Sequence, residues 1–424
     1  MSDLRESGFK EVTRLADARD RFAEAVTPTE RTERVPVSTA QDRVVAAAVT
    51  AERAVPHYAR AAMDGYAIRA ADSFGASDRS PEVLREREDR VGPGEAVRVH
   101  TGTAMPEGAD AVVMVEQTAR VADQREATDR ASGEDRPASR AGAEVEVFDA
   151  VAEGENVAPV GEDVAAGQHL YDPGHRLRPS DLGLLTASGV VNVEVYERPT
   201  VGVFPTGDEV VEADPGPGEV VETNGTTVAR YVERWGGEAT RRNVVPDDRE
   251  AIRAALERDL TKDVVVTTGG SSVGERDLVP AVVDDLGEVL VHGVALKPGH
   301  PVALGVIRDT PVVVLPGYPV ACIVNAVQFL RPALKWTGHL PVEDHPTTTA
   351  RLARKVTSEP GVRSFVRVRL SEVDGDRVAT PTRASGSGVL SSVALADGWV
   401  EVSEGREGLA AGETVAVQNW EWWP

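Results

Sequence analysis

The sequence predicts a multidomain α/β and β protein. It combines a central α/β domain with a parallel sheet, an inserted β-rich domain, a helical linker domain and a small C-terminal β-barrel. Three observations carry this. The chain has 424 residues, too many for one hydrophobic core, so three or four domains are expected. From Thr200 to about Leu334, strand-length apolar runs alternate with stretches of helical period, the pattern of βαβ units. Beyond residue 340 only short alternating runs remain, separated by Gly and Asp turns, as in a small barrel or sandwich.

Taken in order, residues 1–27 read as helical, with Leu15, Ala18, Phe22, Ala25 and Val26 near helical spacing. A strand-like Thr32 to Val37 and a helix-like Gln41 to Val49 follow. Asp64-Gly65 is a turn signal directly before a β-like Tyr66 to Ile68. Val97 to Val99, the loop Thr101 to Asp110, and Ala111 to Val115 read as strand, loop, strand. From about Ala119 to Ala143 the chain is almost entirely polar, which predicts a flexible excursion with too little apolar surface to order itself. Val145 to Val151 resumes as strand, Gly161-Glu162-Asp163 sits in a loop, and Pro179 to Ala187 reads as a short helix. The expected domains are 1–27 with 161–198, 28–160, 199–337 and 338–424.

The α/β region is the most legible. Strands are expected at Val201 to Phe204, Asn243 to Val245, Val264 to Thr267, Val289 to Val294 and Pro311 to Leu315. Helices are expected at Thr226 to Trp235, Arg249 to Leu260, Leu278 to Leu286, and from Pro319 to about Leu334. In parallel sheets ligands sit at the carboxyl ends of the strands. Those ends carry Asp208, Glu209, Asp247, the turn Gly269-Gly270-Ser271-Ser272-Val273-Gly274, Asp277 and Lys297. A strand that breaks into glycines before a helix can cradle phosphate on backbone N–H groups. Alone, it also fits an ordinary turn. Carboxylates beside such a turn suit Mg²⁺, which takes oxygen ligands and bridges to substrate phosphates; Glu209, Asp247 and Asp277 are placed for this. Each acid singly also reads as a solvated loop residue in so acidic a chain. Lys297 is one of five lysines and stands in a glycine loop, where a compact charge suits phosphate or an oxyanion.

Composition narrows the class. A net charge of −23 argues against nucleic-acid and anionic-membrane partners. Acid-rich, lysine-poor composition points to a protein kept soluble in a very salty cytoplasm, as in a halophilic archaeon. The single cysteine, Cys322, excludes a disulfide framework and a zinc cluster, and its apolar neighbours read as core. No apolar run approaches the ~18 residues of a membrane span, and the first residues lack a signal-peptide pattern. A cytoplasmic protein is expected.

Several short motifs then agree in order and spacing over nearly the whole chain. They are Ala62-Met63-Asp64-Gly65-Tyr66-Ala67, Thr101 to Val113, Gly161-Glu162-Asp163, Thr206-Gly207-Asp208-Glu209, Thr223-Asn224, Gly269 to Gly274, Leu296 to Gly299 and Leu315 to Val320. Together they resemble the molybdopterin molybdenumtransferases, the MoeA and gephyrin E-domain family. The resemblance implies a four-part subunit that dimerises through the domain at 1–27 and 161–198, with 199–337 as the molybdopterin-binding (MogA-like) domain. Its sites would lie between the α/β domain of one chain and the β-rich domain of the other. The implied reaction consumes adenylylated molybdopterin and molybdate, assisted by Mg²⁺, and yields molybdenum cofactor and AMP.

By the same resemblance, Asp64, Asp163, Glu209 and Asp277 are catalytic acids. Glu209, Asp247 and Asp277 position metal and pyrophosphate, while Asp64 and Asp163 lie near molybdate and the dithiolene. Thr101, Asn224, Gly269, Gly270, Ser272, Gly274, Lys297, Pro316 and Pro319 match binding positions. The chain departs from the pattern at Ala158, where relatives carry Arg, at His300, where many carry Lys, and at Gly361 to Phe365, where an arginine motif is blurred. Those departures leave room for tungstate in place of molybdate, or for a catalytically weak molybdopterin carrier or scaffold. The preceding molybdopterin adenylyltransferase is disfavoured by the glycine turn, which lacks that branch's Gly-Gly-Thr-Gly.

Overall fold

The computed structural model describes residues 12–121, 143–271, 278–382 and 387–422. The chain divides into two compact units. The first comprises Met1–Glu33, Asp42–Ala46 and Glu194–Pro424; the second comprises Arg34–Gln41 and Ala47–Val193.

The first unit is built on β1 (Thr200–Pro205), α1 (Asn224–Arg234), β2 (Glu238–Arg241), α2 (Arg249–Asp259), β3 (Val264–Thr268), α3 (Leu278–Leu286), β4 (Glu288–His292), β5 (Ala303–Ile307), β6 (Thr310–Leu315) and α4 (Pro319–Asn325). The sheet order is β2-β1-β3-β6-β5-β4. Strands β2, β1, β3 and β6 are parallel, as the βαβ pattern predicts, while β5 and β4 add an antiparallel edge. Alternation along β3 explains why its valines are continuous. Val264 and Val266 join one core with Val228 and Val232 of α1, whereas Val265 joins the other with Ile252, Leu256, Val279 and Val282. Each face is covered, and each buried valine contributes about 1.5–3 kcal/mol.

Two α/β expectations need correction. The strand expected at Asn243 to Val245 is displaced to β2, because Gly236-Gly237 ends α1 and pairing begins at once; Val245 keeps only an isolated bridge to Thr206. Strand β5 went unread because Gly305 resembles a turn residue. It is glycine because a Cβ there would lie 2.7 Å from the Glu288 carbonyl oxygen on β4.

Beyond α4, five strands close into a barrel: Thr347–Leu352, Arg363–Val373, Asp376–Pro381, Gly398–Val402 and Thr414–Gln418. Pairing of Arg363–Val373 with both Asp376–Pro381 and Gly398–Val402 completes the ring. Trp399 and Trp420 stack at 4.4 Å beside Phe365 and join the same core as one face of the α/β sheet. A short strand, Leu296–Lys297, leaves the α/β region and pairs in parallel with Arg363 and Ser364, so Lys297 belongs to the seam between sheet and barrel.

The second unit holds a six-stranded mixed sheet among its described residues. The strand order is Ala111–Met114, Gly65–Ile68, Glu95–Val99, Glu82–Arg87, Glu144–Val147, Thr118–Val121. Gly65 is obligatory, since a Cβ there would sit 1.9 Å from the Val113 oxygen. Ala119 to Val121, expected in the polar excursion, instead pair with Glu144 to Glu146; residues 122–142 of that excursion lie outside the described residues. The expected helix at Gln41 to Val49 is absent. Asp42 takes φ +62°, and the β-branched Val45 and Val49 bridge instead to Val195 and Tyr171.

The helix Pro179–Ala187 is the one the sequence predicts, and it is anchored by Asp181. This carboxylate, 2% exposed as a residue, accepts from the Arg178 N–H (2.8 Å) and guanidinium (2.9 Å), His175 Nε2 (2.8 Å) and the Tyr171 hydroxyl (3.1 Å). Burial pulls its pKa upward, but Arg178, His175 and Tyr171 outweigh burial and hold it far below the usual carboxylate range. A depressed carboxylate stabilises the fold above its unfolded pKa near 3.9 and loses that contribution as pH falls. Asp181→Ala is expected to cost about 2 kcal/mol, discounted because Arg178 stands in solvent. Chemical unfolding at pH 7 followed by far-UV circular dichroism checks it, and the difference from wild type should shrink below about pH 4.

Candidate active site

The carboxyl ends of the parallel strands gather the first group. Thr206, directly after β1, donates its hydroxyl to Asp247 Oδ1 (2.9 Å), and the Asp247 N–H donates to Asp208 Oδ1 (3.1 Å). Glu209 follows on the same exposed turn. None of Asp208, Glu209 and Asp247 forms an ion pair with a described residue. Asn224 opens α1 and donates Nδ2 to the Gly317 carbonyl (2.6 Å), tying that helix to the Pro316-Gly317-Tyr318-Pro319 loop.

Gly269 and Gly270, at φ +106° and +66°, turn the chain after β3. The Gly269 N–H is taken by the Leu315 carbonyl (2.9 Å), and a Cβ on Gly269 would lie 2.3 Å from the Thr206 oxygen. Its service is therefore close packing of two strand ends. Ser272, Gly274 and Asp277 lie outside the described residues.

The second group lines a cavity of about 720 Å³ between the α/β sheet and the barrel, within the range of small-molecule sites. Pro316 and Tyr318 reach it from the α/β side, and Lys297 to Pro301 form one wall. Among the described residues four cations, Lys297, Arg354, Lys355 and Arg367, face one carboxylate, Glu359. That excess stands out in a chain of net charge −23. Lys297 Nζ bonds Glu359 Oε1 (2.7 Å) and holds that carboxyl below its usual range. Burial and the Lys297 charge lower the pKa of His300, which favours its neutral imidazole.

Arg367 is the unusual group. It is 7% exposed, and among the described residues no carboxylate pairs with it. Among the described residues its side chain makes only long bonds, to the Phe365 carbonyl (3.3 Å) and the Ser392 hydroxyl (3.4 Å), and its Nε has no partner. Burial lowers its pKa. A buried guanidinium without a counter-charge is costly unless an anion meets it. By contrast Arg363, in the blurred arginine motif, is engaged by Glu401 (2.8 Å) and Glu404 (2.7 Å).

The third group belongs to the second unit. Asp64 Oδ1 accepts from both the Thr101 N–H (2.7 Å) and hydroxyl (2.8 Å), while His100 Nδ1 stands 3.5 Å from Oδ2. The Thr101 bonds first, and His100 after them, hold this exposed carboxyl below its usual range. Asp163 is exposed, with its N–H on the Val55 carbonyl (3.0 Å). Three residues on from Val55, the Tyr58 hydroxyl donates to the Gly102 carbonyl (3.3 Å), beside Thr101. The loops bearing Asp163 and Asp64 are thus linked. Ala158 is buried on a short strand directly opposite Arg60.

Of the residues singled out from the sequence, the structure brings together Asp247 with Asp208, Lys297 with Pro316, and Asp64 with Thr101. Pro319 opens α4 and is not on the cavity wall. Cys322 is buried in α4 and burial pushes its thiol upward, consistent with core. Among the described residues no group of three potential ligands converges as a formed metal site, and no helix is long and apolar enough to cross a membrane. Sequence reading passed over Arg367 and Arg354. Arg367 left a signal: it shares its strand face with Phe365, so alternation puts an arginine where an apolar residue belongs.

Three family profiles match the chain: "MoeA N-terminal region (domain I and II)" at residues 13–189, "Probable molybdopterin binding domain" at 202–336, and "MoeA C-terminal region (domain IV)" at 349–420. The molybdopterin molybdenumtransferase of Bacillus subtilis (strain 168) is 30% identical over 412 residues, 93% of this chain and 92% of the relative. That of Haemophilus influenzae is 30% identical over 414 residues, 95% and 98% of the two chains. A solved molybdopterin biosynthesis MoeA protein from Pyrococcus horikoshii is 33% identical with a TM-score of 0.79, covering 97% of this chain and 100% of that one.

Proposed function

The chain belongs to the molybdopterin molybdenumtransferase (MoeA) family, enzymes of molybdenum cofactor biosynthesis, and on that premise we propose that it inserts molybdate into adenylylated molybdopterin and releases AMP. The observation that carries the specific reading is buried Arg367 on a cationic cavity, with no carboxylate paired to it among the described residues. Its charge and size suit a small tetrahedral dianion. Molybdate and tungstate share that shape and charge, and both are substrates to be tried.

The chain's residues divide the work. Lys297 and Arg367 hold the oxyanion, with neutral His300 as a hydrogen-bonding neighbour. Asn224 fixes the Pro316 to Pro319 loop over which the substrate lies. The backbone around Gly269 and Gly270, with Ser272 and Gly274, seats the phosphates. Glu209, Asp247 and Asp277 would hold Mg²⁺. The Asp208, Glu209 and Asp247 carboxylates, without an ion pair among the described residues, support that fit, because a hard cation prefers anionic oxygen donors. Bound there, Mg²⁺ supplies charge neutralisation at the phosphate oxygens of the leaving adenylate. Thr206 keeps Asp247 oriented through its hydroxyl.

Asp64 and Asp163 complete the site from a second chain of a homodimer, meeting molybdate and the dithiolene with their carboxyl groups. Chemical complementarity supports this: the cavity offers cations with Glu359 already paired, whereas the Asp64 loop offers carboxylates without a strong counter-charge among the described residues. The net charge of −23 supports a cytoplasm rich in salt, so assays belong in multimolar KCl, where ions screen self-repulsion.

Subunit complementation tests the shared site. Asp64→Ala and Arg367→Met chains are each expected to be inactive. Refolded together they should regain about a quarter of wild-type activity, because half of a random mixture is heterodimer and one of its two sites is intact. The readout is AMP together with cofactor delivered to an apo-molybdoenzyme. No regain from a mixture shown to contain heterodimer would place both residues in one chain's site.

A further inference from the structure

Asn325 ends α4 and is fully buried, 0% exposed. Its Nδ2 donates to the Ala321 carbonyl within its own helix (2.9 Å) and to the Gly299 carbonyl (2.9 Å). Its Oδ1 is buried without a hydrogen-bond partner among the described residues. The flanking Val324, Ala326 and Val327 are all core. A polar side chain that leaves an acceptor unsatisfied in such company costs stability. An apolar residue of the same size would avoid that cost, so the bond to Gly299 is the feature that needs Asn325.

Gly299 lies in the wall Lys297 to Pro301, and Ala321 lines the same cavity from α4. Asn325 therefore braces two walls of the cavity from behind. The fit is close: at φ +114°, a Cβ on Gly299 would lie 2.2 Å from Asn325 Nδ2. The helix then widens into a π turn, Ala326–Leu330, where Arg19 donates to both the carbonyl and the side-chain oxygen of Gln328 at 3.0 Å. Wide turns of this kind re-aim the residues beside them and often accompany functional sites.

We infer that Asn325 is a positioning residue for the oxyanion: it holds Gly299, and through it the Lys297–His300 segment, in the conformation that presents Lys297 to the cavity. This rests on the cavity being the oxyanion site. Lys297 is steered on one side by Glu359 and on the other by this brace.

The probe is molybdate, titrated calorimetrically into the full-length protein in multimolar KCl, beside its thermal midpoint. Asn325→Leu removes both the brace and the unsatisfied oxygen. Relief of the buried Oδ1 and loss of the donor to the Gly299 carbonyl oppose each other, so its midpoint should stay close to that of wild type, while the molybdate Kd rises about tenfold, equivalent to about 1.4 kcal/mol. In turnover the KM for molybdate should rise far more than kcat falls. Asn325→Ser fits the same space and can still bond back to Ala321, but it cannot reach Gly299; it should show the same loss of affinity, and it serves if the leucine variant does not fold. A folded variant with Kd within about twofold of wild type overturns the inference, being below the effect of one lost hydrogen bond. Wild-type protein that binds no molybdate, or Arg367→Met that binds it normally, instead overturns the oxyanion reading and takes this inference with it.

Discussion

Asp64→Ala is expected to lower kcat by about 10³-fold, the scale of losing a charged group that acts in the transition state, while leaving the fold and thermal midpoint unchanged. Asp64 is an exposed carboxylate whose Oδ1 merely receives the Thr101 N–H and hydroxyl. Removing it leaves no buried group unsatisfied, because Thr101 remains exposed to water. Asp64→Asn separates charge from shape, since an amide oxygen can still accept from Thr101. It should be nearly as impaired, because the role proposed for Asp64 uses its charge. The pH profile follows from the sign of the shift. Thr101, then His100, depress the Asp64 carboxyl, so it is ionised throughout the neutral range and its contribution fades only as pH drops below the ordinary carboxylate range. An acidic limb near pH 6 would have to come from another group. Full turnover by a folded Asp64→Ala protein would remove Asp64 from the mechanism.

Arg367→Met should separate function from stability in the opposite sense. Molybdate affinity is expected to fall about 100-fold, the effect of removing one preorganised donor to an oxyanion. The midpoint should hold or rise, because replacing an uncompensated buried charge by an apolar side chain is often neutral or stabilising. Calorimetric titration with molybdate and a thermal melt check both halves on one preparation. Arg363→Met makes the contrast. Arg363 is ion-paired to Glu401 and Glu404, so its loss should strand two carboxylates and lower the midpoint. Loss of stability in Arg367→Met without loss of affinity would reduce Arg367 to a structural group.

The α/β sheet was legible because its valine runs are short, continuous and bounded by Gly or Pro, and a strand covered on both faces demands that pattern. Helices α2 and α3 announced themselves by spacing, and Asp248 caps α2 by accepting from the Ala251 N–H (2.9 Å). Two strands escaped for local reasons. Gly305 imitates a turn although it is there to admit a neighbouring strand, and Asn243 to Val245 carry strand propensity that the earlier Gly236-Gly237 stop pre-empts. The Gln41 to Val49 error is a competition between helical spacing and β-branched residues, which bridging to Val195 and Tyr171 decides.

The groupings the structure shows were legible where short motifs supplied the residues, as with Asp64 and Thr101 or Lys297 and Pro316. Arg367 and Asn325 were not legible, because each stands out through what it lacks among the described residues: a counter-ion for one, a partner for Oδ1 for the other. Such deficits arise from packing and exist only in three dimensions. The Gly269 turn sits between these cases. Its glycines were recognised, but the Gly269 N–H is engaged by Leu315 and the missing Cβ is what Thr206 requires.

The central claim is oxyanion-dependent cleavage of adenylylated molybdopterin. The most direct measurement is a single-turnover reaction in multimolar KCl with Mg²⁺ and excess enzyme, following AMP with molybdate, with tungstate and with neither. The account predicts AMP release only when a tetrahedral oxyanion is present, abolished in Arg367→Met, with the two rates giving the preference between molybdate and tungstate. AMP release at the same rate without oxyanion, or tight binding of the adenylate by the folded protein with no AMP in any condition, would contradict it.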